Sequence, residues 1–309
     1  MIRYCLRRLG QGVLVLFVLL TITFFLVKAL PGGPFDKGER AIPEHSRERM
    51  EAYYGLDKPL VTQYFLRIKN LASGNLGVSL RLEGREVSEI IGQAFPISFQ
   101  LGCVAMLTAL AIGVPLGVIA AWKKNSAIDY GAMGIAMIGI CVPSFVIGPV
   151  LADFFGRRLE LLPSIGWSFT DPRHWILPAF TLGLIYAAYL SRLTRAGMLE
   201  ILSQDYIRTA RAKGVSEKNI LIRHCLRGGL IPAAAYIGPA FAGIVSGSLV
   251  IEAVFAIPGL GTHFIKAIEN EDEPVLTSIV LLFGVLIILA IFASDVLGAW
   301  LNPKIRRGN

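Results

Sequence analysis

The chain is short of charge. Only 17% of its 309 residues are Asp, Glu, Lys or Arg, 54% are hydrophobic, and mean hydropathy is +0.60. A soluble domain carries about 25% charged residues, so a water-soluble monomer is excluded. Cysteine is sparse and scattered: Cys5, Cys103, Cys141 and Cys225 stand singly, without a CxxC. A disulfide framework and a thiolate zinc site are excluded. No Asp, Glu, Lys, Arg or His falls at the centre of an apolar run, which argues against a proton- or sodium-coupled carrier. No Ser/His pair occupies such a run, against an intramembrane protease. No GxxxxGK[ST] is present, so no P-loop can bind ATP in this chain.

What is present is a set of long apolar runs. A bilayer core of about 30 Å needs roughly 20 helical residues. Six stretches answer: 9–30, 90–122, 130–152, 175–191, 228–251 and 274–294. The expected fold class is all-α integral membrane, with six transmembrane helices. The first run follows Arg3, Arg7 and Arg8 as a signal peptide would, but it is long and no A-x-A site follows. We read it as a retained helix. The four tryptophans, Trp122, Trp167, Trp175 and Trp300, stand at or just outside run ends, at headgroup level.

Charge gives the orientation. The 192–227 segment holds eight basic and three acidic residues, and the N-terminal tail and the C-terminal residues Lys304, Arg306 and Arg307 are basic. Between the last two runs the balance reverses: Glu252, Glu269, Glu271, Asp272 and Glu273 face only Lys266. Both termini and a loop over 192–231 are therefore expected in the cytoplasm. The +8 net charge reads as this asymmetry rather than as nucleic-acid binding. Pro115, Pro143, Pro149, Pro178 and Pro239 should kink or break their helices. The pairs Gly113/Gly117 and Gly243/Gly247 have the spacing that lets helix backbones approach.

Two polar segments punctuate the chain. Residues 31–95, with nine basic and nine acidic residues, form an extracytoplasmic segment. A helix is expected over 43–54 with Gly55 as its cap. A second should start at Pro59, show Val61, Tyr64, Phe65, Ile68 and Leu71 at helical spacing, and stop at Gly74. Such a pair fits an amphipathic hairpin on the outer membrane surface or a docking surface for an external partner, and the residues alone do not choose. The second segment reads Ser203 to Pro232 as a basic helix-turn-helix. Gly214 suits a left-handed C-terminal cap, and Ser216 an N-terminal cap for a helix from Glu217. Its basic residues suit either anionic membrane lipid or a protein partner.

The order of residues adds more. Thr209-Ala210-Arg211-Ala212-Lys213-Gly214 followed by Leu230-Ile231-Pro232 resembles the EAA loop of binding-protein-dependent ABC import permeases. The TARAKG form is similar to the oligopeptide/dipeptide/nickel branch. Leu30-Pro31-Gly32-Gly33-Pro34, Tyr54-Gly55-Leu56-Asp57-Lys58-Pro59, Gly74-Asn75-Leu76-Gly77, Gly247 to Glu252 and Pro258-Gly259-Leu260-Gly261 resemble that branch in the same order, over nearly the whole chain. The long outer segment resembles its B-type subunit.

The resemblance implies a single 1–309 transmembrane domain in a bacterial inner membrane, N-in and C-in, without an enzymatic site of its own. It implies a heterodimer with a second permease subunit, two cytoplasmic ATPase subunits that bind the ATP and Mg, an extracytoplasmic peptide-binding protein, and a peptide substrate. Asp205, Tyr206, Arg208, Thr209, Ala210, Arg211, Ala212, Lys213 and Gly214 would then couple to an ATPase, with Ala210 and Ala212 short enough for close seating. No catalytic, cofactor or metal residue is expected in this chain. A dipeptide or nickel permease of the same branch, or a carrier working alone, are the alternatives. Three places depart from the pattern: Thr209 for Glu, Glu271-Asp272-Glu273-Pro274 for Arg-Asp-Tyr-Pro, and Asn302-Pro303-Lys304 for Asp-Pro-Arg/Lys. The second makes the outer loop over 269–273 more acidic than the pattern, and leaves open whether it alters binding-protein contact or charge preference.

Overall fold

The computed structural model describes residues 2–29, 50–82 and 84–301. Among them there is no strand, only one antiparallel bridge between Val78 and Glu86. The helices are α1 (Ile2–Lys28), α2 (Leu60–Ala72), α3 (Val87–Trp122), α4 (Ala127–Cys141), α5 (Ser144–Leu151), α6 (Arg173–Leu202), α7 (Asp205–Ala212), α8 (Glu217–Asn219), α9 (Leu226–Gly229), α10 (Ile231–Val254), α11 (Leu260–Glu269) and α12 (Glu273–Leu301). Five are long and apolar enough to cross a bilayer. A sixth candidate, Ala127–Cys141 with Ser144–Arg158, is bent by 102°. The bend falls at Val142-Pro143, where the proline fixes an extended approach and starts α5. The other expected kink sites lie inside helices, as Pro178 does in α6 and Pro239 in α10. The 30–34 motif, the start of the 43–54 helix, and the 302–304 motif lie outside the described residues.

Two compact units emerge, 1–98 with 258–286, and 99–257 with 287–309. In the first, the outer segment ends as read: Gly55 (φ +61°) closes a helical turn with Leu56 N–H on Glu51 C=O at 2.9 Å, and Gly74 (φ +79°) follows α2. The face that α2 turns inward, however, is largely polar. Val61 and Phe65 are 61% and 62% exposed, whereas Gln63, Tyr64 and Arg67 are buried. Gln63 donates to Leu56 and Lys58 carbonyls, and Tyr64 shares a 2.6 Å bond with Thr21 of α1. The Arg67 guanidinium donates to carbonyls of Leu76 and Pro274, both at 3.1 Å, and stands 3.4 Å from Glu273. Period-3.6 counting of apolar residues misplaces this face because hydrogen bonds, not apolar area, seat the helix.

The same contacts correct the reading of the 271–273 acids. Glu271, Asp272 and Glu273 are 6%, 4% and 6% exposed. Asp272 accepts from Ser79 and from the Leu80 N–H, and Glu273 faces Arg67. Burial pushes the Asp272 carboxyl above its ordinary range. These charges are turned into the unit. Of the expected acidic loop only Glu269 is exposed, so the loop does not present an acidic surface.

In the second unit α3 and α6 pack through glycine. A Cβ at Gly113 would stand 2.5 Å from the Ala187 carbonyl oxygen, and one at Gly117 would strike Ser191 O and Thr194. This is the close backbone approach expected of the first GxxxG pair. The second pair behaves otherwise: Gly243 lies under the Tyr186 phenol rather than a helix backbone, and Gly247 has only ordinary contact with Leu182 at 3.7 Å. Gly113→Val should therefore destabilise by about 1–3 kcal/mol through overpacking. Gly247→Ala should leave the melting temperature in detergent within about a degree or two, or raise it. Equal melting temperatures for both variants would refute the packing assignment.

Candidate coupling surface

The 192–231 segment is not all loop. Arg192 to Leu202 continue α6 as helix, so only the residues after Leu202 leave its axis. The short α7 stands on one buried side chain. Ile207 is fully buried among Ala121 of α3, Met198 of α6, and Ile220, Leu221 and Cys225, with Ala210 and Val215 packed at the margin. Asp205 in the first turn suits the helix dipole, and Thr209 Oγ bonds back to Asp205 C=O at 3.1 Å. Tyr206, Arg208, Thr209, Arg211, Ala212 and Lys213 point away from this core and are exposed, as is Asp205. Of the two small residues expected to allow close seating, Ala212 faces out, while Ala210 turns toward the chain's own core.

The exit of α7 is fixed by backbone. Gly214 has φ +79°, its N–H donates to Arg211 C=O at 2.9 Å, and Val215 N–H to Ala210 C=O at 3.2 Å. That is the paired 5→2 and 6→1 bonding of a Schellman cap. Nothing lies within 4 Å of a Cβ built at Gly214, so conformation alone demands glycine there. Ser216 occupies the N-cap position before Glu217, but its side chain makes no capping bond. The turn is closed instead by Arg211, which grips Glu217 with two bonds of 2.7 and 3.2 Å. The guanidinium holds the Glu217 carboxyl below its ordinary value, so the exposed pair persists from neutral pH into the acid range. It is lost only as pH falls through that lowered value. Beyond α8 the chain continues as a π-helical stretch, Ile220–Cys225, into α9. Ile220, Leu221 and Cys225 of that stretch all reach the core under α7.

One pair escaped the sequence reading. Arg195 on α6 grips Asp129 on α4 with bonds of 2.6 and 2.7 Å, and Asp129 is 1% exposed. The same carboxylate accepts the Asn125 N–H at 2.9 Å, where Asn125 holds φ +60°. Charge counting sees Arg195 only as loop charge, and Asp129 stands just outside the expected 130–152 run. The usable signal was Ser126-Ala127-Ile128-Asp129, an Ser-x-x-acid opening of a helix in which Ser126 caps the Asp129 N–H. The pair ties the α3–α4 turn to the end of α6 that leads into α7.

Long apolar helices, a basic helix-turn-helix and a bent helix pair define a multi-pass membrane protein of permease type. Residues 113–307 match the binding-protein-dependent transport system inner membrane component family, and residues 1–101 match the N-terminal region of such membrane components. The chain belongs to this family: it is a permease subunit of an ABC transport system of the inner membrane. It is 43% identical over 306 residues, 99% of this chain and 100% of the other, to the oligopeptide transport system permease protein OppB of Salmonella typhimurium. Escherichia coli K12 OppB is 42% identical at the same coverage. The dipeptide permease DppB of Bacillus subtilis is 39% identical, over 99% of this chain and 98% of that one. The fold is similar to a chain of the inward-facing MetNI methionine ABC transporter, with TM-score 0.60 and 19% identity over 69% of this chain and 96% of that one.

Removing one partner of the buried pair leaves the other charge uncompensated. Arg195→Ala, which strands the buried Asp129, should cost about 3 kcal/mol of stability; Asp129→Ala, which leaves the partly exposed Arg195, should cost less, and the two together less than the sum of the singles. Thermal unfolding in detergent measures both. Additive losses would mean that the two side chains do not act as a pair.

Proposed function

We propose that this chain is one of two different permease subunits of an ATP-driven importer that carries oligopeptides across a bacterial inner membrane. An extracytoplasmic binding protein delivers the peptide, and two cytoplasmic ATPase subunits bind ATP and Mg and drive the cycle. The chain works as one transmembrane domain over 1–309, with both termini in the cytoplasm. Within the 192–231 segment, α7 is the coupling helix. The observation that carries the reading is its construction: a polar, exposed helix held from below by Ile207 and fixed at its exit by Gly214. Force applied to Tyr206, Arg208, Thr209, Arg211, Ala212 or Lys213 passes through Ile207 to Met198 of α6 and Ala121 of α3. The relatives named OppB favour oligopeptides; the relative named DppB favours the second reading, a dipeptide importer.

The test uses the assembled complex in proteoliposomes. Gly214→Ala should reduce peptide uptake several-fold, because an L side chain at φ +79° costs about 1 kcal/mol. Gly214→Asn, which tolerates that conformation, should retain more uptake than the Ala variant. Arg211→Glu sets two carboxylates against each other across the turn and should lower both uptake and co-purification of the ATPases. Uptake by the chain without ATPases, or indifference of ATPase binding to Arg211→Glu, would overturn the assignment.

A further inference from the structure

Hydroxyls within the spans are mostly satisfied by their own helices. Thr181, Ser191 and Ser248 each donate to a carbonyl of the preceding turn, at 2.7 to 2.9 Å. In the first unit Tyr54 and Tyr64 also have partners. The tyrosines of the second unit differ, and three of them cluster within the spans. Tyr186 and Tyr189 on α6 and Tyr236 on α10 have hydroxyls with no hydrogen-bond partner among the described residues. They form one cluster: the Tyr189 and Tyr236 rings lie 6.0 Å apart, and Tyr186 and Tyr236 pack on the same core of Ala109, Ala187, Leu190 and Ala233. Tyr189 is 38% exposed and the other two are half-buried.

Their depth matters. Tyr186 stands about 9 Å along the axis from Arg192, at 1.5 Å per residue, well inside the charged end of α6. A hydroxyl at that depth facing lipid tails has nothing to bond, and such groups are costly. The position is also built rather than incidental. A Cβ at Gly243 of α10 would collide with the Tyr186 hydroxyl, so the glycine provides the space that the phenol occupies. On α10 as well, Phe241 meets Phe99 of α3 edge to face at 6.1 Å, and Phe99 is 42% exposed.

We infer that Tyr186, Tyr189 and Tyr236 line the translocation path, and that their hydroxyls bond the backbone amides of a peptide in transit. This rests on the importer reading above. A phenol hydroxyl both donates and accepts, so it can serve an amide N–H or C=O whatever side chain the peptide carries. The rings offer apolar area to those side chains without selecting among them. The second permease subunit and the lipid interface are the competing occupants of this face, and the experiment separates them from a peptide.

In the assembled importer in proteoliposomes, with cysteine-free background, Tyr189→Cys and Tyr236→Cys should react with a membrane-impermeant thiol reagent during ATP turnover. A tri- to pentaalanine mixture should slow the labelling. Tyr186→Phe, Tyr189→Phe and Tyr236→Phe should each raise KM for that mixture at least about threefold, as loss of one net hydrogen bond implies. Gly243→Ala should act like Tyr186→Phe, because it displaces the hydroxyl. Tyr130→Phe, 70% exposed on α4, should change nothing. Cysteines that never label, or Phe variants with unchanged KM, would overturn the proposal and assign the face to subunit contact or lipid. If the wild-type complex imports none of the peptides yet the cysteines label, the substrate reading fails while the water-lined path stands.

Discussion

Within a bilayer a polar group that leaves water must find another partner, because hydrocarbon offers none and each unsatisfied group costs several kcal/mol. That constraint orders most of what the chain does. It makes every candidate span helical and keeps charge at their ends. It also turns the charged residues that do lie near the spans into fasteners. Arg67 is held by two carbonyls and Glu273, and Asp129 by Arg195 and the Asn125 N–H. Each buried ion meets both an opposite charge and neutral dipoles, the condition under which such a pair holds rather than weakens a fold.

The proposed coupling surface follows from a second constraint, that a short helix has little stability of its own. The eight residues of α7 bury a single large side chain, and the cap at Gly214 with the Arg211–Glu217 clasp fixes the rest. A helix so seated is a poor spring and a good lever. In the proposed coupling, load on its outer face would pass through Ile207 to Met198 and Ala121. The Asp129–Arg195 pair then joins α4 to the same end of α6, so the proposed stroke reaches three span ends together.

How much of this was legible in the sequence depended on which force set each feature. Helices driven by apolar length were readable, and so was Gly214, because only conformation demands glycine there. The inward face of α2 was not. Its seating depends on Arg67 finding two carbonyls and Glu273, contacts separated by up to about two hundred residues in the chain, and periodicity knows nothing of them. The acids at 271–273 failed for the same reason: composition counts charge but not the partner that removes it from the surface. Ser216 showed the opposite error, a residue of the right type at the right place whose side chain went unused because Arg211 had already closed the turn on Glu217. Gly243 was read as a helix contact when its neighbour is a phenol, since spacing gives the room and not the tenant.

The absence of charge from the middle of α6 and α10 bears on what a path through them can carry. An oligopeptide has a cationic and an anionic end and side chains of any kind. A fixed charge in the wall would retain one end and repel the other, and in a low-dielectric setting either effect is large. A wall of hydroxyls and rings avoids both. It replaces part of the water around each amide without committing to one sign, and it holds no peptide firmly enough to stop it. On that proposal, selectivity would be exercised before the membrane, by whatever delivers the peptide. In the proposed importer, direction would come from the ATPase through α7, because a wall that binds all peptides weakly can bias none of them.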